Sequence, residues 1–242
     1  YLTSKDVQNQ IPKLNTIYSE PFADPSQIPT HLLCREVRNS GLQIALSGDG
    51  GDELFGGYNR YFLGENIWKS MDLIPFKIRK FIGDFGLNIS TESLDNFSPL
   101  LGVNQFGIKF HKLAKRLKYI KSEEEFYYSL ISQWEDQSSI FSNDLKDPYL
   151  HLRPDSITCD LPRIISSNLT YKMMFYDTLN YLPNDILTKV DRAAMASSLE
   201  TRAPFLDHNV ISTAWRLSIN LKINSSYKNN NGKVILKKLL QK

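Results

Sequence analysis

The chain has 242 residues, 41% of them hydrophobic, which is enough for a buried core in one domain. Its 29 basic and 26 acidic residues leave a net charge of +3, so charge alone gives no pull toward nucleic acid or an anionic membrane. No apolar run approaches the ~20 residues of a membrane span, two distant cysteines make no disulfide framework, and the cytoplasm is the expected compartment.

In chain order, Ser26 to Ser40 reads as a helix. Asp24 or Ser26 can cap it, Ile28, Leu32, Leu33 and Val37 form its apolar stripe, and Gly41 ends it. Leu42–Leu46 follows as a short apolar run, the pattern of a buried parallel strand. A helical stretch opens at Asp52 and continues through Leu54, Phe55, Tyr58 and Tyr61. Phe76–Phe85 is a basic amphipathic helix with Pro75 suited to its first turn, and Phe106–Tyr119 is a second, rich in lysine. Ser122 to Glu125 has the form of a capping box before a helix over Glu123–Trp134. Asn143–Leu161 reads as a long connection. Thr170–Leu182, Asn184–Ser198 and Asp207–Leu217 read as helices, and Asn224–Gly232 as a polar mobile loop. The sum is mainly α, with one clear strand.

The segment that stands out is Ser47-Gly48-Asp49-Gly50-Gly51-Asp52-Glu53-Leu54-Phe55-Gly56-Gly57-Tyr58, with five glycines and three acids in twelve positions. Glycines just after a strand let the backbone turn sharply and let a ligand approach the amides. Open α/β sheets place ligands at that end of their strands. Asp49, Asp52 and Glu53 would repel a bare phosphate, so the loop suits a nucleotide held with Mg2+, or a carboxylate that moves protons beside a nucleotide. The plain alternative is a glycine-rich turn whose acids cap the next helix, with Asp52 as the N-cap.

These twelve residues closely resemble the synthetase-domain signature of glutamine-dependent asparagine synthetases. Three other blocks are similar to the same family in the same order: Ser19–Thr30 (SEPFADPSQIPT), Tyr181–Asp207 (from YLPNDILTKVDR to ETRAPFLD), and Gly232–Leu236. The resemblance implies an α/β fold, a predominantly helical fragment of an adenine-nucleotide α-hydrolase-like (ATP-pyrophosphatase) domain with a short parallel sheet remnant. It also implies a partial ATP-binding domain over 1–242. The family's glutaminase half, which begins with cysteine, and its SGGxDS pyrophosphate loop have no counterpart here, and the chain reads as an internal fragment.

The implied reaction activates a carboxylate, such as the side chain of aspartate or of a related acid, as an acyl-adenylate. Ammonia from a glutaminase domain then attacks the acyl carbon. ATP and Mg2+ are the implied cofactors, and the resemblance leaves a homodimer open. By resemblance, Ser47, Gly48 and Gly50 would contact the nucleotide, Asp49 would serve adenylation and amide formation, and Asp52 and Glu53 would lie near the acceptor or the magnesium pyrophosphate. Lys189 and Arg192 lie three apart and share a helical face. Alignment on Glu200 favours Arg192 as the phosphate contact, with Lys189 the alternative and Asp191 pointing elsewhere. Glu200, Arg202 and Asp207 read as a structural ion-pair and capping cluster. The histidines His31, His111, His151 and His208 lack metal-ligand spacing. A non-catalytic relative that binds nucleotide or a partner, or one acting on a different acceptor, is the alternative. A calcium loop is disfavoured, because the acid spacing does not follow the alternate-residue pattern.

Overall fold

The computed structural model describes residues 3–96, 99, 102, 104–132, 165, 168–226 and 229–241. The chain forms two compact units, one made of Tyr1–Tyr58 with Tyr171–Lys242 and the other of Asn59–Thr170. The expected connection at Asn143–Leu161, the last residues of the expected Glu123–Trp134 helix, Cys159 and His151 lie outside the described residues.

The first unit is a mostly helical α/β body. Strand β1, Ile44–Leu46, pairs in parallel with β2, Glu200–Arg202, with Ala45 opposite Thr201. Ser47 N–H extends the ladder to the Arg202 carbonyl at 2.8 Å. The helix Gln27–Asn39 packs on the helix Thr188–Met195, and Cys34, Ala194 and Leu199 close a small core with Val37 and Ala45. Gly41, at φ +92°, turns the chain out of the first of these helices and into β1. A second core joins Leu54 and Phe55 to Ala214.

Three expectations change here. The strand is shorter than Leu42–Leu46 and not buried, since Ile44 and Leu46 are 50% and 75% exposed. A sheet of two strands leaves the side chains of β1 without the covering that a wider parallel sheet receives. The helix expected from Asp52 onward is interrupted: Gly51–Phe55 stops at Gly56, which sits at φ +70°, and a separate helix runs over Asn59–Asp72. Asn224–Gly232 is not a structureless loop, because Asn224–Ser226 (β3) and Asn229–Asn231 (β4) pair antiparallel.

One long helix replaces the two expected over Thr170–Leu182 and Asn184–Ser198. It is an α-helix over Leu169–Tyr176, a π-helix over Asp177–Leu187 and an α-helix over Thr188–Met195. Pro183 lies inside the π stretch. Proline lacks an N–H and crowds the carbonyl of an α-turn, and the wider winding accommodates it. Side chains along the same stretch also donate to its backbone: Thr178 Oγ1 to the Met174 carbonyl at 2.8 Å, Asn180 Nδ2 to Tyr176 at 3.2 Å, and Thr188 Oγ1 to Pro183 at 2.9 Å.

The second unit is helical. Phe76–Leu87 packs against Phe106–Tyr119, both close to their expected bounds. The approach is tight because Gly83 faces the Ala114 carbonyl, where a Cβ would sit 2.6 Å away. Arg79 is buried beside this pair, donating to the carbonyls of Ile74 and Ile120 at 3.0 and 3.2 Å. Ser122 caps Glu123–Ile131 through Glu125 N–H at 3.2 Å, while the Glu125 carboxylate accepts from Lys121 N–H at 2.6 Å rather than from the cap residue.

Candidate active site

The glycine-rich loop leaves the C-terminal end of β1, as expected. Ser47 continues the ladder, and Gly51 N–H closes a turn onto the Gly48 carbonyl at 3.1 Å. Gly50 adopts φ +85° and is buried against Leu206, where a Cβ would collide. Left-handed backbone in so close a space requires glycine. Gly48 is exposed, and a Cβ there would meet nothing within 4 Å. The backbone of the loop is therefore packed at Gly50 and open at Gly48. Asp49, between them, is partly exposed and makes no hydrogen bond or ion pair among the described residues.

The two other acids of the loop differ from it and from each other. Asp52 lies in the first turn of Gly51–Phe55, but Gly50 is the N-cap, so Asp52 is not the cap. Its carboxylate pairs with Lys233 Nζ at 2.9 Å, and Gly57 leaves room for that pair. Lys233 N–H also donates to the Phe55 carbonyl at 3.0 Å, from a left-handed backbone at φ +56°. Glu53 is 1% exposed and accepts a hydrogen bond from Tyr58 Oη at 2.7 Å. Burial raises its pKa above the ordinary carboxylate value despite that bond. Among the described residues no group of three His, Cys, Asp or Glu side chains is arranged to hold a metal. Asp52 and Glu53, one paired and one buried, do not fit as direct ligands of a protein-held Mg2+.

The basic helix also separates its two cations. Lys189 is buried, and its Nζ lies 2.6 Å from Asp24 Oδ2. Tyr18 Oη donates to the Lys189 carbonyl at 3.3 Å, and His31 Nδ1 contacts the Ala193 carbonyl at 3.2 Å. Arg192 is 55% exposed, and its Nε lies 3.5 Å from Asp191, which points toward it rather than elsewhere. Such an exposed pair contributes little and yields readily to a stronger anion. Glu200 and Arg202 form the expected ion pair at 2.8 Å, and Asp207 caps His208–Arg216 through Asn209 N–H at 2.8 Å. Lys233, just past the segment expected to be a mobile loop, is the distant residue that sequence reasoning missed, and it reaches the glycine-rich loop. The clues in the sequence were the place of Lys233 in the Gly232–Leu236 block and its charge, opposite to that of Asp52.

A cavity of about 450 Å³ is lined by Ile11, Leu14, Tyr18, Glu20 and Phe22 among others, and the glycine-rich loop does not line it. No helix among the described residues is long and apolar enough to cross a membrane.

The asparagine synthase family profile matches residues 1–242. The chain belongs to the asparagine synthase family. It is 28% identical over 243 residues to asparagine synthetase [glutamine-hydrolyzing] 1 of Bacillus subtilis, covering 98% of this chain and 34% of that protein. It is 32% identical over 197 residues to a Methanocaldococcus jannaschii protein provisionally named asparagine synthetase [glutamine-hydrolyzing] 2, covering 81% of this chain and 34% of that one. The chain thus spans about a third of the length of these curated relatives. No solved structure matches it significantly.

Proposed function

We propose that this chain is the carboxylate-activating part of a glutamine-dependent asparagine synthetase, a carbon–nitrogen ligase of amino-acid biosynthesis working in the cytoplasm. The fold would be that of adenine-nucleotide α-hydrolases, with aspartate as the acceptor and ammonia delivered from a glutaminase domain. The observation that carries this reading is Asp49: a partly exposed carboxylate that has no partner among the described residues, held between an open Gly48 and a packed Gly50 at the end of a parallel strand.

The residues present fit a nucleotide. Ser47, Gly48 and Gly50 would hold it through backbone groups, Gly48 because nothing occupies the space beside it. ATP, when bound, supplies the adenylyl group that turns the acceptor carboxylate into an acyl-adenylate. Asp49, without a hydrogen bond or ion pair among the described residues, would accept a proton from the attacking ammonia. Arg192 would meet the charge of the departing pyrophosphate, bidentately, in place of its weak contact with Asp191. Lys189 is a poor choice for that role because it is already held by Asp24. Asp52 would act through Lys233, keeping that cation beside the loop. No step is assigned to a magnesium ion.

The test is aspartate-dependent exchange of pyrophosphate into ATP by the full-length protein, followed by asparagine formation on adding ammonia or glutamine. Exchange driven by another acid and not by aspartate would move the acceptor. Nucleotide binding without exchange under any acid would favour the non-catalytic reading.

A further inference from the structure

The contact between Asp24 and Lys189 has a third member. Asp185 stands one helical turn before Lys189, at the end of the π stretch. Its Oδ1 is buried and has no hydrogen-bond partner among the described residues. The group facing it is the Asp24 carboxyl, whose Oδ1 already accepts from Ser26 N–H and Oγ at 2.8 and 2.7 Å, and whose Oδ2 accepts from Lys189 at 2.6 Å. Two carboxylates offer each other only acceptors. A proton between them resolves that conflict, and one lysine cannot fully neutralise both.

We propose that Asp24, Lys189 and Asp185 form a proton-dependent brace between the Ser19–Thr30 segment and the helix that carries Arg192. With the proton present, Asp185 donates to Asp24 and Lys189 stays on Asp24. Without it, Asp185 is a second carboxylate beside the same ammonium and draws Lys189 off Asp24. The proton leaves to solvent, and no other covalent bond changes. The helix Thr188–Met195 moves with this exchange because Lys189 is in its first turn and Arg192 follows one turn later. Asp185 is thus a positioning residue.

The neighbourhood supports a local switch. Burial and the adjacent Asp24 raise the Asp185 pKa to about 6, against an opposing pull from Lys189. The segment before the helix Gln27–Asn39 contributes Tyr18, whose own pKa is raised by burial to about 12, so it stays neutral. That helix contributes His31, bonded to the Ala193 carbonyl, and buried Cys34. From Gly51–Phe55, which packs on the π stretch, come Asp52, paired with Lys233, and Glu53, bonded to Tyr58 and facing Asp177. Of these, Asp24 and Lys189 are the groups whose charges act on Asp185.

The decisive measurement is pH-difference infrared spectroscopy of the full-length protein, in which a protonated carboxyl shows its own carbonyl band. The wild type should show a band titrating near pH 6 that is missing in Asp185→Asn. In Asp24→Asn that band should titrate well below 6, because the like charge is gone and Lys189 is released to Asp185. A band that stays near 6 in Asp24→Asn would show burial acting alone and would overturn the brace. So would a wild-type band that titrates in the ordinary carboxylate range. The catalytic consequence rests on the adenylating activity proposed above: wild-type exchange per folded enzyme should change through pH 6, and that of Asp185→Asn should not. The same step in both proteins would cut the link to Arg192. Absence of exchange in both would sink the activity, not the brace, which the infrared titration decides by itself.

Discussion

Lys233 Nζ lies 2.9 Å from Asp52 Oδ1, so the start of the last helix is fastened to the glycine-rich loop across 181 residues of chain, 233 less 52. Gly57 packs directly on this pair. A methyl group there must displace the carboxylate, whereas Asp52→Asn removes only the charge. Both side chains are about one third exposed, so the charge itself contributes on the order of 0.5 kcal/mol. Gly57→Ala should cost about 1–3 kcal/mol by overpacking. Urea unfolding of the two variants checks the order, and an equal loss in both would show that Gly57 is not a spacer.

Asp49 and Arg192 should behave as site residues and not as structural ones. Neither has a strong partner among the described residues. Asp49→Asn should leave the melting temperature unchanged and lower amide formation by roughly a hundredfold to ten-thousandfold. Arg192→Ala should slow pyrophosphate exchange by about a hundredfold. Loss of activity that merely tracks the folded fraction would place both in the fold.

Lys189→Met should do the opposite. The Lys189 and Asp24 side chains are only 10% and 15% exposed. Removing the cation leaves a buried carboxylate beside Asp185, a loss of about 3–5 kcal/mol. Lys189→Met protein that folds as stably as wild type would refute the buried pair.

Glu53 gives a pH dependence with a definite sign. Burial raises its pKa in the folded state, so the native protein holds the Glu53 proton more tightly than the unfolded chain does. Its contribution is therefore most favourable at acid pH and is lost as pH rises from the ordinary carboxylate value through the raised one. Glu53→Gln keeps an acceptor for Tyr58 and cannot ionise, so its urea midpoint should fall less over that window. Parallel profiles for the two proteins would count against a protonated Glu53.

Lys222 presents the inverse case. It is fully buried, its Nζ finds no hydrogen-bond acceptor among the described residues, and it stacks over Trp215 at 4.9 Å. Burial lowers its pKa to about 8. The unfolded chain binds this proton more tightly, so stability should rise with pH between about 8 and the ordinary lysine value of 10.5. Below that window the cost is constant, and Lys222→Met should stabilise the protein at neutral pH by roughly 1–3 kcal/mol. A flat profile in the wild type would contradict a buried ammonium.

The legible parts of this chain were those fixed by local chemistry. Apolar spacing and the need for glycine at Gly41 gave the helix Gln27–Asn39, and Pro75 marked the start of Phe76–Leu87. The loop after β1 was legible because glycine spacing and acids coincide there. β2 was not, since Glu-Thr-Arg has no apolar alternation and becomes a strand only by pairing with β1. Nor was the hairpin at Asn224–Asn231, because asparagine is depleted in strands. Helical spacing made Lys189 and Arg192 look equivalent. The carboxylate that separates them comes from Asp24, 165 residues away, and no local pattern carries that information.

The π winding over Asp177–Leu187 makes the length of this segment as consequential as its composition. Each residue of an α-helix advances about 100° around the axis, and a π turn accommodates about one residue more than an α turn. Deleting a single residue near Asn180 would let the segment tighten into ordinary α geometry and rotate everything beyond it by about that angle. Lys189 would swing out of reach of Asp24, and Arg192 would face a new direction, with every side chain after the deletion still present. The eleven residues from Asp177 to Leu187 thus set the angular phase of the basic helix, so that a shortened homologue could retain each charged residue and still aim none of them correctly.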